Sequence, residues 1–97
     1  PLLQTPALGE IAALCRAHGA LLVVDPTIAS PLNVDVVPHA DLVVNSLTKY
    51  AAGEGDVILG CAFASPGGRH AAALRAALAR EIEPVYPRDL ARLAAQI

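Results

Sequence analysis

The chain is predicted to have an α/β fold, and three features of its sequence indicate this. Apolar residues recur at helical spacing near the start of the chain and again in its last third. Three apolar runs rich in β-branched residues lie between these stretches. The runs show no alternation with polar residues, which is typical of strands covered by helices on both faces. With 55% hydrophobic and 16% charged residues, the chain is not intrinsically disordered.

The first predicted element is a helix that follows Thr5-Pro6. This pair places a hydroxyl at the N-cap and a proline at the first helical position. Gly19 is expected to end the helix in the left-handed conformation. One apolar face repeats at helical spacing and consists of Leu8, Ile11, Ala12 and Cys15.

Three strands are predicted at residues 21–24, 42–44 and 57–63. The first ends at Asp25-Pro26 and the second at Asn45-Ser46. Between these two strands, residues 26–41 contain three prolines, which predicts a loop with about one turn of helix.

Two helices are predicted in the last third of the chain. An alanine-rich helix starts near Gly68 and is closed by Pro84, and its leucines and isoleucine lie four residues apart. Pro87 is expected to open the next helix. The apolar face predicted for that helix consists of Leu90, Leu93, Ala94 and Ile97.

Composition and charge exclude several classes of partner. The net charge is −2 and there is no basic patch, which argues against nucleic acid. The longest apolar run covers residues 57–64, far fewer than the roughly 20 residues of a membrane span. Cys15 and Cys61 form no metal-ligand or redox spacing, so we expect free thiols, no metal site and a cytoplasmic location. The absence of methionine predicts that the chain is a segment of a longer protein.

Polar residues follow the first two strands, where ligands bind in open α/β sheets. They are Asp25, Thr27, Ser46, Thr48 and Lys49. Lys49 is the only lysine beside six arginines, and unlike arginine its amine can lose its proton and form a Schiff base with an aldehyde. An amine, hydroxyl donors for a phosphate and a carboxylate together would hold pyridoxal phosphate.

Each of these residues also has a structural interpretation. Asp25 can cap a turn with Thr27, Ser46 and Thr48 can form turns, and an isolated lysine is usually a solvated surface residue.

Two stretches, residues 11–25 and 45–56, resemble the pyridoxal-phosphate enzymes of cysteine and methionine metabolism. This trans-sulfuration group includes cystathionine γ-synthase, cystathionine lyases and methionine γ-lyase. The family pattern is a strand ending D-N-T, then A-D-x-V-x-x-S-x-T-K-Y, then G-x-x-D-x-x-x-G. Here these positions are occupied by Asp25-Pro26-Thr27, residues 40–50 and residues 53–60.

The resemblance implies a role for each candidate residue. Lys49 would carry the Schiff base to the cofactor and then move protons. Asp25 would pair with the pyridine nitrogen, and Thr27 would lie near the ring. Ser46 and Thr48 would bind the phosphate.

The resemblance also implies that residues 1–97 are part of the large domain of a fold-type-I enzyme, with a mostly parallel sheet between helices. About residues 5–65 would carry the cofactor motifs and 68–97 a helical continuation. The expected reaction is elimination or replacement at the β or γ carbon of a sulfur-containing amino acid, a small-molecule substrate. Such enzymes are dimers or tetramers with shared active sites, and the segment alone would be inactive.

Three positions depart from the family pattern and keep other functions open. Pro26 replaces the usual asparagine, and Glu54 and Gly55 stand where many members have His-Ser. The choice between lyase and transferase therefore stays open, as does a degenerate, non-catalytic scaffold. A signalling receiver domain is the third alternative, but it needs an acidic cluster, and Asp25 has no acidic neighbour before Asp35.

Overall fold

A computed structural model describes residues 4–97 and contains three helices and one three-stranded sheet. The elements occur in the predicted order, which confirms the α/β class. No helix within the described range combines the length and the hydropathy needed to cross a bilayer. The elements are α1 (Leu8–Ala17), β1 (Val23–Val24), β2 (Leu42–Ser46), β3 (Gly60–Ala64), α2 (Ala71–Glu81) and α3 (Pro87–Gln96).

Helix α1 ends as predicted but begins later than predicted. Its first residue is Leu8, and no side chain caps it, so Thr5 does not act as the N-cap. Gly19 has φ +66°, a conformation that costs glycine little and other residues more. The Ala20 N–H then reaches back to the Cys15 carbonyl at 2.8 Å, which satisfies one of the free carbonyls at the helix end.

The sheet has the order β1-β2-β3 and contains one parallel and one antiparallel pairing. Strands β1 and β2 are parallel, with Val24 opposite Val43. Strands β2 and β3 are antiparallel, with Ser46 opposite Gly60. The carboxyl ends of β1 and β2 and the first residue of β3 therefore meet at one edge of the sheet, called here the site edge.

The buried residues form two clusters. One lies where α1 and the loop 26–41 cover the sheet, and consists of Val36, Ala40 and Val43 with Leu8, Val24 and Val34 packed against it. The other lies beneath the loop between β2 and β3, and consists of Ala52, Val57, Leu59 and Leu93 with Leu47 against it. Val57 and Leu59, predicted as strand, thus contribute to the core from a loop.

The apolar face predicted for α3 is largely wrong. Leu93 is buried, but Leu90 is 54% exposed and Ile97 is 86% exposed. The helix docks on the loop between β2 and β3 through Leu93 and through polar contacts of Arg92 and Gln96. These contacts determine which face is buried.

Arg69 forms an ion pair with Asp41, the residue before β2. Its Nε and Nη2 donate to the two carboxylate oxygens of Asp41, each at 3.3 Å, and Nη2 also donates to the Ala20 carbonyl. The Leu22 N–H donates to Asp41 Oδ2 at 2.9 Å. The Arg69 hydrogen bond, followed by the Leu22 N–H, holds the pKa of Asp41 below its ordinary value of 3.8.

We expect Arg69→Ala to lower the free energy of unfolding by about 2 kcal/mol, because charge-assisted bonds to a largely buried carboxylate are lost. Since the Asp41 pKa is lowered by folding, this stabilisation is complete above the ordinary value of 3.8. It disappears as the pH falls through the lowered value. Urea unfolding from pH 7 to pH 2 measures it, with the exposed Arg75→Ala as control. Equal stability of the two variants at pH 7 would contradict the prediction.

Candidate active site

The turn after β1 is formed by Asp25, Pro26 and Thr27. Asp25 Oδ1 accepts a hydrogen bond from the Thr27 N–H at 3.0 Å and another from the Thr27 hydroxyl. Pro26 suits the middle of this turn because its φ is fixed and the turn requires no N–H from it. The turn-capping interpretation of Asp25 is thus confirmed, and within residues 4–97 its second oxygen, Oδ2, accepts no hydrogen bond.

The Thr27 hydroxyl joins the ends of β1 and β2. It accepts a hydrogen bond from the Ser46 N–H at 2.9 Å, and it lies 2.9 Å from Oδ1 of Asn45. Thr27 is 8% exposed, and the partners of its hydroxyl are Asp25, Asn45 and the Ser46 N–H. The structure therefore places Thr27 beside Asp25, as a support for that carboxylate.

Ser46 and Thr48 differ in whether their hydroxyls are already hydrogen-bonded within the protein. The Ser46 hydroxyl makes no hydrogen bond in the described part of the chain. Thr48 Oγ1 accepts a hydrogen bond from the Leu59 N–H at 3.0 Å and donates one to the Leu59 carbonyl at 3.2 Å. That carbonyl also accepts from the Leu47 N–H at 2.9 Å. Thr48 can therefore turn its proton towards a ligand without leaving the carbonyl unsatisfied.

Lys49 lies in the turn that follows β2. This turn is closed by the Ala52 N–H on the Leu47 carbonyl at 3.0 Å and by the Gly53 N–H on the Lys49 carbonyl at 2.9 Å. The side chain is exposed and forms no ion pair with any residue of 4–97. This exposed position agrees with the structural interpretation of an isolated lysine as a solvated surface residue.

Two adjoining depressions at the site edge contain the candidate side chains. The Asp25 cleft has a volume of about 500 Å³, within the roughly 300–1,000 Å³ of small-molecule sites. Its lining includes Asp25, Ser46, Thr48, Leu59, Cys61 and Ile82. The Lys49 hollow is lined by Ile28, Thr48, Lys49, Tyr50, Gly53 and Gly55. Thr48 lines both depressions.

Several residues of the site were not identified from the sequence. Asn45 was interpreted only as the end of a strand, and Ile82 as part of a helical stripe. For Cys61 the sequence predicts only a free thiol. It is half-buried in the Asp25 cleft, and burial raises the pKa of its thiol. Only its position at the end of β2, at the site edge, could have indicated Asn45 as a site residue. Within residues 4–97, no three potential metal ligands come together.

A cluster of charged side chains ties α3 to the loop that borders the Lys49 hollow. Arg92 donates to Asp56 Oδ2 at 2.6 Å and to Glu54 Oε2 at 3.4 Å, and Gln96 donates to Asp56 Oδ1 at 3.2 Å. The Arg92 hydrogen bond is the main cause of the lowered pKa of Asp56. Glu54, one of the departures from the family pattern, thus has a partner in α3.

We expect Arg92→Ala to increase amide hydrogen exchange in residues 53–56 several-fold, while the melting temperature changes little because exposed ion pairs contribute little to stability. Since folding lowers the Asp56 pKa, the cluster is intact above the ordinary value of 3.8 and is lost as the pH falls through the lowered value. The exposed Arg80→Ala is the control. Unchanged exchange in residues 53–56 would show that the cluster does not hold the loop.

Comparison with known proteins identifies similar sequences and structures. The model of the Cys/Met metabolism PLP-dependent enzyme family matches residues 1–85. The L-2-amino-4-chloropent-4-enoate dechlorinase/desaturase of Streptantibioticus cattleyicolor is 51% identical over 94 residues, which cover 97% of this chain and 18% of that protein. The alanine racemase ungC of Aspergillus violaceofuscus is 46% identical over 83 residues, covering 86% and 14%.

A solved structure agrees with these sequence matches. The crystal structure of apo CalE6, a methionine gamma lyase from Micromonospora echinospora, superposes with a TM-score of 0.76 at 30% identity. The match covers 99% of this chain and 26% of that one. The chain therefore spans about a quarter of the structural relative and less than a fifth of the two sequence relatives.

Proposed function

This chain belongs to the Cys/Met metabolism family of PLP-dependent enzymes, and on that premise we propose that the protein catalyses elimination or replacement at the β or γ carbon of a sulfur-containing amino acid. Membership of the family makes pyridoxal phosphate the cofactor. The observation that carries the proposal is the group of unused polar atoms at the site edge: the Lys49 amine, the Ser46 hydroxyl and Asp25 Oδ2.

The residues at the site edge fit this cofactor chemically. Asp25 Oδ2 is an acceptor suited to the protonated ring nitrogen. The hydroxyls of Ser46 and Thr48 are donors suited to the phosphate, and the Lys49 amine is suited to the aldehyde carbon. When bound, pyridoxal phosphate supplies an electron sink for a bond broken at the substrate Cα.

The chain's own residues would contribute binding and proton transfer. Lys49 Nζ would anchor the cofactor and would transfer the proton removed from the substrate Cα. Its lack of an ion-pair partner within residues 4–97 supports this, because an opposite charge beside the amine would favour its protonated form. Asp25 would hold the ring in place from the turn after β1.

Oligomeric state and location belong to the same proposal. We propose a dimer or tetramer whose subunits share active sites, acting on a small-molecule amino acid in the cytoplasm. Ile58 in the Asp25 cleft is 83% exposed, which supports coverage of this cleft by further protein. The two cysteines are free, as expected in a reducing compartment.

No specific observation favours either the degenerate scaffold or the receiver domain. Pro26 fits the turn after β1 and Glu54 pairs with Arg92, so these departures do not require a degenerate scaffold. A receiver domain needs an acidic metal-binding cluster, and residues 4–97 contain no such group.

Borohydride reduction followed by peptide mass mapping tests the proposal. Full-length protein is loaded with pyridoxal phosphate, reduced and digested, and we expect a pyridoxyl group on Lys49. Protein reduced without added cofactor is the control. An unmodified Lys49 in folded, cofactor-saturated protein would favour the scaffold. Incubation with L-cysteine and L-methionine derivatives, with thiol and keto-acid release as readouts, tests the substrate class separately.

A further inference from the structure

We propose that Arg92 is a positioning residue for the Lys49 amine: it holds residues 53–56, which form one wall of the Lys49 hollow, against helix α3. This inference rests on the function proposed above and deepens it. It starts from two observations on the loop 53–56. The acidic side chains of this loop bind α3, and its glycines line the hollow.

The loop depends on α3 for its hydrogen bonds. Asp56 binds the helix through both carboxylate oxygens, with Arg92 Nε at 2.6 Å from one and Gln96 Nε2 at 3.2 Å from the other. Arg92 Nη2 also donates to Glu54 Oε2 at 3.4 Å. Among the described residues, the backbone of 54–58 donates to no other residue and accepts from none. The polar attachments of this stretch are therefore all made by α3.

The two glycines of the loop give it little stiffness of its own. Gly53 and Gly55 have φ +79° and +71°, a region that glycine enters readily. Both line the Lys49 hollow, so part of its wall is backbone that has no side chain to pack it in place. The position of such a wall depends on contacts made by the neighbouring residues, and these are the contacts with Arg92.

Helix α3 also supports the turn that carries Lys49. Leu93, next to Arg92, is buried in the same cluster as Ala52, and Leu47 packs against this cluster. The Ala52 N–H donates to the Leu47 carbonyl and so closes the turn around Lys49. The helix thus contacts two sides of the hollow, the Lys49 turn through an apolar side chain and the loop 53–56 through polar ones. Loss of Arg92 releases the loop while Leu93 still holds the turn.

This release affects how Lys49 meets the cofactor. An amine that attacks an aldehyde must approach its carbon in a defined geometry, and a misplacement of about 1 Å can cost roughly 10²-fold in rate. Without Arg92, the carboxylates of Glu54 and Asp56 lose their cation and repel each other. The wall of the hollow then no longer has one position, and fewer encounters of the cofactor with Lys49 lead to attachment.

Timed borohydride reduction measures this effect without an amino-acid substrate. Full-length, cofactor-free protein is mixed with pyridoxal phosphate, reduced at successive times and mapped, which gives the rate of pyridoxyl attachment to Lys49. We expect Arg92→Ala to slow attachment about three- to tenfold, less than the roughly 10²-fold cost of a 1 Å misplacement. Arg92→Lys keeps a cation for Asp56 and should recover most of the rate. Arg80→Ala, which removes an exposed ion pair on α2, should leave the rate unchanged.

A double-mutant cycle separates this contact from other effects of the substitution. Asp56→Ala removes the carboxylate that Arg92 binds at 2.6 Å, and it should slow attachment about as much as Arg92→Ala. Because both variants break the same contact, the double variant should be less than about twofold slower than either one. The melting temperature of each cofactor-free protein should change little, because exposed ion pairs contribute little to stability.

Three results overturn the inference. The first is a wild-type rate of Lys49 labelling in Arg92→Ala, even where amide exchange in residues 53–56 increases. The second is slower labelling with unchanged exchange in this loop, and the third is additive slowing in the double variant. With any of these and a labelled wild-type protein, only the role of Arg92 is wrong. If Lys49 is not labelled in the wild-type protein, the proposed function is wrong and the inference fails with it.

Discussion

Replacement of Lys49 by alanine should abolish reductive trapping of pyridoxal phosphate and lower turnover by at least about 10³-fold, the upper part of the range for loss of a general acid–base group. The side chain is exposed and forms no ion pair with residues 4–97. The fold therefore does not depend on it, and the melting temperature of the cofactor-free protein should stay within about one degree of the wild type.

Lys49→Arg is the matched variant for this experiment. Arginine keeps the positive charge but does not deprotonate, so it cannot supply a nucleophilic amine. Both variants should show the same loss of labelling and of turnover. Retained labelling at another position in Lys49→Ala, with retained turnover, would show that a different residue anchors the cofactor.

Replacement of Asp25 by asparagine should lower turnover about 10²- to 10³-fold, which is the usual effect of losing a preorganised electrostatic contact. Borohydride should still attach the pyridoxyl group to Lys49. Asparagine keeps an oxygen for the Thr27 N–H, so the turn after β1 persists. It replaces the free carboxylate oxygen by an amide group that cannot accept a proton or provide a charge. Steady-state kinetics with a sulfur-containing amino acid measure the loss.

Asp25→Ala, compared with Asp25→Asn, separates the role of this residue in the turn after β1 from its role towards the ring nitrogen. It removes both hydrogen bonds of the turn as well as the charge, so it should also lower the free energy of unfolding by about 1–2 kcal/mol. Asp25→Asn should leave that free energy nearly unchanged. Full turnover in Asp25→Asn would show that the carboxylate acts only in the turn.

The order of helices and strands could be predicted because it depends on local patterns. The helical stripe before Gly19 and the apolar run at β2 are each contained in a few neighbouring residues. The direction of β3 could not be predicted, because an apolar run fits parallel and antiparallel pairing equally. The buried face of α3 depends on contacts with Asp56, which lies far from this helix in the chain.

The site residues that lie at the ends of strands could be predicted. Asp25 and Ser46 lie at the same edge because β1 and β2 are parallel. The partners of these residues could not be predicted in the same way. Thr48 contacts Leu59 only because the chain turns back into β3, and the Thr27–Asn45 contact requires the two strand ends to be in register. Tertiary packing decides such contacts.

The antiparallel pairing of β2 and β3 has a consequence for the order of folding. Ser46 pairs with Gly60, so the loop that carries Lys49 is closed by contacts between residues near in sequence, at a small cost in loop entropy. Asp25 comes to the same edge through the parallel crossover from β1, and the Val24–Val43 pairing closes a loop of similar length. The lysine loop and the carboxylate are therefore expected to acquire amide protection on similar timescales, since neither closure is much costlier than the other.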